Sequence, residues 1–176
     1  MRKVRLRIVM KTLFLMRHAK SSWDNSDRAD FDRPLNERGK KAAPFMGEYM
    51  SRNGFDPELI LSSPAVRARE TARLAKEGGD LTAEIHFDDR IYEASPQTLR
   101  KTASEIEERF SSAMIVGHNP GTEGFIRLLT GRPETVPTAA LIVIDLAISN
   151  WSDIQSGSGT LRELIRPKDE MKMLGK

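Results

Sequence analysis

The sequence predicts an α/β protein: a three-layer sandwich in which a mostly parallel central sheet carries helices on both faces. Short apolar runs alternate with amphipathic stretches along most of the chain, the pattern of strands joined by helical crossovers. Three of those runs end in polar pairs, Arg17-His18, Ser62-Ser63 and Gly117-His118. Right-handed crossovers bring the carboxyl ends of such strands to one rim, where open α/β sheets bind ligands.

The elements follow in order. Thr12–Met16 (TLFLM) is a compact apolar strand. The loop Asp32–Asn36 precedes a helix over Arg38–Arg52, which Asn53-Gly54 stops. Leu59–Leu61 is a short buried strand, and Pro64 stands where a following helix could begin. Ala65–Lys76 has helical spacing and meets Gly78-Gly79 as its stop. Ile85–Phe87 is a weak strand. Pro96–Phe110 is a helix capped by Ser95, with Pro96 in its first turn. Ala113–Val116 is a strand, Thr122–Thr130 a helix closed by Gly131, and Ala139–Leu146 and Thr160–Ile165 are late strands.

Composition narrows the function. With 176 residues, 39% hydrophobic and 30% charged, the chain is ordinary globular material of one-domain size. No apolar run approaches the ~20 residues of a membrane helix. The absence of cysteine excludes disulfides, thiolate catalysis and cysteine-based metal sites, and suits a cytoplasmic location. Four bases, Arg2, Lys3, Arg5 and Arg7, lie in residues 1–9; without them 24 bases face 25 acids. The basic balance therefore belongs to an N-terminal extension rather than to a nucleic-acid-binding face. Residues 1–9 are expected to be that extension, with Met10 an alternative beginning, and residues 10–176 a single domain. The extension lacks the features of a signal peptide, since Lys11 breaks its apolar stretch.

Two of the three histidines, His18 and His118, stand at strand ends, together with Arg17 and, just after Ser62-Ser63, Arg67. Arginine forks suit recognition of a phosphoryl group. Arg69 points elsewhere on its helix and reads as a surface residue. His86 lies outside these motifs and reads as structural. The histidines lack metal-ligand spacing, and the arginines supply the positive charge a cation would bring, so neither metal nor cofactor is expected.

Several segments carry a resemblance. Leu15-Met16-Arg17-His18-Ala19-Lys20-Ser21-Ser22-Trp23 resembles the Arg-His-Gly signature of the histidine phosphatase superfamily, with its phosphoglycerate mutase-like fold. Ser62-Ser63-Pro64-Ala65-Val66-Arg67-Ala68-Arg69-Glu70-Thr71-Ala72 and Val116-Gly117-His118-Asn119-Pro120 are similar to its second and third signatures, and Pro34-Leu35-Asn36-Glu37-Arg38-Gly39 to a further family segment. Ala19 departs from the usual Gly. That change, the Lys-Ser-Ser-Trp after it and the short chain resemble the bacterial phosphohistidine phosphatase, SixA-like branch.

The resemblance implies that His18 is the nucleophile and that Arg17, Arg67 and His118 hold the phosphoryl oxygens, with Ser21 as a further hydroxyl donor. Glu93 stands near the place where relatives keep an acid for alcohol leaving groups. An imidazole, with a reference pKa of about 6.5, leaves with less help. Glu93 is therefore either a proton donor or a solvated carboxylate.

Larger relatives insert a lid between the second signature and the last histidine. Here 50 residues separate Arg67 from His118. A shallow pocket of that kind suits a phosphorylated protein of the histidine phosphotransfer type. The alternative is a small phosphate ester. A non-catalytic phosphate-binding module would have no need of His18.

Overall fold

A computed structural model describes residues 10–176; the basic extension over residues 1–9 lies outside the described residues. Six strands, β1 (Lys11–Arg17), β2 (Leu59–Ser62), β3 (Glu84–Phe87), β4 (Ser112–Gly117), β5 (Leu141–Leu146) and β6 (Gly159–Ile165), form one sheet in the order β3-β2-β4-β1-β5-β6. The β3–β2, β2–β4 and β4–β1 pairs are parallel, and β1–β5 and β5–β6 are antiparallel. Parallel strands buried on both faces explain the unbroken apolar runs. In β1, Phe14 and Met16 enter the core beneath the helices α1 (Glu37–Arg52) and α2 (Val66–Gly79). Leu13 and Leu15 enter the opposite core with Phe125, Ile126 and Leu129 of α4 (Gly121–Thr130) and Leu99 of α3 (Pro96–Ser104). The period-2 alternation of the strand thus serves two helical layers.

Helix boundaries follow caps and packing. Asn36 caps α1, its side chain accepting the Gly39 N–H, and Ser95 caps α3 through the Thr98 N–H. Gly78-Gly79, expected as the stop of α2, lies inside the helix, which ends at Asp80 in the left-handed region (φ 49°). A Cβ on Gly78 would collide with the Pro44 backbone of α1, and one on Gly47 with the backbone of Ala75 in α2. These glycines permit close helix contact.

The helix expected over Pro96–Phe110 stops at Ser104. Buried Lys11 bonds the carbonyls of Glu108 and Phe110, and the Trp151 indole N–H also reaches Phe110 O. Those carbonyls serve distant partners instead of a helical ladder. The strand expected from Ala139 begins at Leu141, because Ala139 is left-handed (φ 61°) and its N–H donates to the carbonyls of Arg17 and His18. A last helix, α5 (Pro167–Met173), was not evident in the sequence pattern. No helix among the described residues is long and apolar enough to cross a membrane.

Candidate active site

The adjacent parallel strands β1 and β4 pair Arg17 with Gly117, so the residues that follow, His18 and His118, emerge side by side. The His18 N–H donates to Gly117 O at 3.0 Å, and the two imidazole centroids lie 5.1 Å apart. Ser63 N–H donates to Val116 O at 3.0 Å, fixing the end of β2 against the same strand. In the first turn of α2, Arg67 is buried and its Nε lies 3.4 Å from His18 Nε2. The rim expected from strand order thus gathers Arg17, His18, Arg67 and His118.

His18 is 8% exposed. Its Nδ1 lies 2.7 Å from the Ala19 carbonyl, which can only accept, so the ring proton sits on Nδ1 and Nε2 keeps its lone pair. The Ala19 peptide is itself held: its N–H donates to Thr71 Oγ1, whose hydroxyl donates to Arg67 O. Burial pushes the His18 pKa down to about 3, and the His118, Arg67 and Arg17 neighbours act in the same direction. Burial likewise lowers His118 to about 4, with Arg67 adding to the shift. Both rings are neutral at physiological pH, the form in which an imidazole is a nucleophile.

Arg17 donates through Nη1 to the Val136 carbonyl at 2.9 Å. That loop is tied by Glu123, which accepts from Val136 N–H and Asn119 Nδ2. Arg17 Nε and His118 Nδ1 are buried with no hydrogen-bond partner among the described residues. Arg17 Nε is a stranded donor beside a lone-pair nitrogen, a need that an anionic ligand would satisfy.

Arg67 is held differently from the free fork expected. Its Nη1 donates to Asp30 O at 2.6 Å and its Nη2 to Asp30 Oδ2 at 3.0 Å, leaving Nε toward His18. Asp30, in a short 3-10 turn (Asp30–Asp32), also accepts from Tyr92 Oη and Arg33 Nη1. Burial alone would raise its pKa, but the bonds from Tyr92, Arg67 and Arg33 outweigh it and hold the carboxyl at about 2. The Tyr92 ring stands edge-on to His118 at 5.5 Å. Burial and the bond to Asp30 push its phenol up to about 12.

Among the described residues, the side chains of the remaining candidates make no hydrogen bond to Arg17, His18, Arg67 or His118. The Ser21 hydroxyl is bonded by Arg33 Nη2. Glu93 follows Tyr92 on an exposed loop, in the left-handed region (φ 53°), and its carboxylate makes no hydrogen bond among the described residues. Arg69 is exposed, and His86 lies exposed on edge strand β3, bonded to Glu84. The Pro34–Gly39 segment acts as a clamp. Leu35 N–H donates to Glu70, and Gly39 packs so tightly on the Lys20 backbone that a Cβ would collide with it. Sequence reasoning missed Asp30, Tyr92, Ser63 and Thr71. Asp30 sat among several loop acids, with no spacing to connect it to Arg67.

Residues 13–133 match the family model of the histidine phosphatase superfamily (branch 1). The chain belongs to that superfamily. It is 32% identical over 160 residues to an uncharacterized chloroplastic protein of Arabidopsis thaliana, covering 86% of this chain and 73% of that one. An Agrobacterium tumefaciens structure assigned as a phosphohistidine phosphatase SixA superposes with a TM-score of 0.76 at 30% identity, over 89% of this chain and 98% of that one. A protein histidine phosphatase SixA complexed with tungstate gives 0.78 at 21% identity, covering 90% and 99%, and so bears on fold alone. A segment of 86 residues, 48% of this chain and 39% of the relative, is 40% identical to phosphoserine phosphatase 1 of Hydrogenobacter thermophilus. Superfamily membership and the superfamily's shared fold support phosphatase chemistry.

Proposed function

We propose that this chain is a cofactor-independent phosphatase that works through a covalent phosphohistidine on His18, with histidine-phosphorylated protein as its substrate. The observation that carries the reading is His18 Nε2: a buried lone pair, its Nδ1 proton committed to Ala19 O, beside Arg67 Nε and the stranded donor of Arg17.

The chemistry follows from these groups. Nε2 attacks phosphorus in line, and the bond from phosphorus to the leaving atom breaks, its electron pair departing with that atom. Arg17, Arg67 and His118 meet the charge on the equatorial oxygens. A phosphorylated imidazole that carries a proton on its other ring nitrogen departs as neutral imidazole, a weak base that needs little assistance, whereas an alkoxide needs a proton from an acid. Water then attacks the phosphorus of phosphohistidine, the P–Nε2 bond breaks, and phosphate leaves with His18 neutral again. Asp30 holds both terminal nitrogens of Arg67, so its Nε meets the phosphoryl group at a set distance from His18.

The partial match to a phosphoserine phosphatase and the position of Glu93 beside Tyr92 favour a second reading, a phosphatase for small monoesters. Phosphate release from phosphohistidine proteins and from alkyl phosphates, measured in chelator, separates the two. Faster turnover of an alkyl phosphate favours the second. The covalent step predicts an acid-unstable, base-stable label on the protein that His18→Ala abolishes along with turnover. Substantial turnover by the purified variant overturns the covalent mechanism, and a metal requirement overturns the cofactor-independent one.

A further inference from the structure

A neutral imidazole has one N–H, and both rings need it on Nδ1: His18 so that Nε2 can give a lone pair to phosphorus, His118 so that Nδ1 can give a proton to an oxygen. His18 is set by a backbone carbonyl, which accepts its Nδ1 proton. His118 needs a donor at its Nε2 if it is to keep the proton on Nδ1, and a carbonyl cannot supply one.

Ser63 supplies it. Its side chain is fully buried, and its Oγ lies 2.7 Å from His118 Nε2. The same oxygen accepts the Ala65 N–H at 3.2 Å. Among the described residues, the only acceptor bonded to the Ser63 hydroxyl is His118 Nε2. The hydroxyl proton therefore points at Nε2, and the ring proton remains on Nδ1. That Nδ1 is the atom left buried without a partner. The geometry is built into the sheet: β2 and β4 pair Ser62 with Val116, and the Ser63 N–H bonds Val116 O two residues before His118.

We propose that Ser63 is a positioning residue that locks His118 in the Nδ1–H form, so that this nitrogen donates to a phosphoryl oxygen while His18 Nε2 attacks phosphorus. The proposal rests on reading the pocket as a phosphoryl-transfer site. Its first test needs no turnover, which keeps the two separable. With 15N-labelled histidine, the long-range couplings of each ring identify the protonated nitrogen in the resting protein. Wild type should show His118 protonated on Nδ1, and Ser63→Ala should shift population to the Nε2–H form.

Kinetics supply the second readout. Removing an oxyanion donor outright costs about 10²–10³-fold in rate, so a partial tautomer shift should lower kcat by about tenfold or more with KM changed less. Ser63→Thr, which keeps a hydroxyl, should restore both the tautomer and most of kcat. An Nε2–H His118 in wild type overturns the proposal. So does a Ser63→Ala protein that keeps both its Nδ1–H tautomer and its activity, or one that loses activity with the tautomer unchanged. If the tautomers behave as stated while His18→Ala still turns over substrate, Ser63 sets the ring but the covalent reading fails.

Discussion

His18 and His118 are buried as neutral rings, with pKa values of about 3 and about 4 against an ordinary 6.5. In the unfolded chain both would take up a proton as the pH falls below 6.5, while the folded protein would not. The unfolded state then binds more protons, so stability is full above pH 6.5 and drains away as the pH falls toward the folded values. At pH 5 each ring has about 1.5 units of unmet protonation, worth about 2 kcal/mol at ~1.4 kcal/mol per unit. Two such rings place the loss near 4 kcal/mol, a large part of the 5–15 kcal/mol typical of a domain. With a urea m-value of about 2 kcal/mol per molar, the midpoint should drop by about 2 M between pH 7 and pH 5. His18→Gln removes one of the two rings and should halve that drop. The same burial keeps the nucleophile deprotonated, so kcat/KM should hold from pH 7 to about 5 instead of falling at the usual histidine pKa. A wild-type midpoint unchanged at pH 5, or a His18→Gln protein as acid-sensitive as wild type, would refute the argument that these rings are buried neutral.

Asp30→Asn removes the charge that holds the terminal nitrogens of Arg67 and should lower kcat/KM by about tenfold, since small misplacements of catalytic groups are costly. The same variant leaves the buried Arg67 guanidinium without its carboxylate and should lower the urea midpoint, so its kinetics are read well below that midpoint; a wild-type kcat/KM would show that Asp30 does not position Arg67. Glu93→Gln should slow alkyl phosphate hydrolysis by about 10²-fold if Glu93 protonates the leaving group, while phosphohistidine turnover stays close to wild type; equal large losses on both substrates would assign it another step. Gly47→Ala forces a methyl group against the Ala75 backbone and should destabilise by at least the 1–3 kcal/mol of an overpacked contact, read from urea unfolding; an unchanged midpoint would mean that α1 and α2 can separate freely.

The alternation of apolar runs and helical stretches was enough to locate β1, β2, β4 and the helices between them, because each must bury a face with its own period. The polar pairs that follow those strands were enough to nominate Arg17, His18, Arg67 and His118, since parallel strand ends share a rim. A local signal also specified the Ser95 cap, which acts within three residues. Other features depended on partners far away in sequence. The stop of α3 at Ser104 answers to Lys11 and Trp151, and the glycines of α2 answer to Pro44 and Gly47. The same holds at the site. Asp30 reaches Arg67 across 37 residues and Tyr92 across 62, and Ser63 reaches His118 across 55. A residue type and its neighbours determine whether a side chain can accept or donate. Which partner it meets, and therefore which imidazole nitrogen keeps its proton and which arginine nitrogen stays free for phosphate, is decided only when the sheet brings the strand ends together.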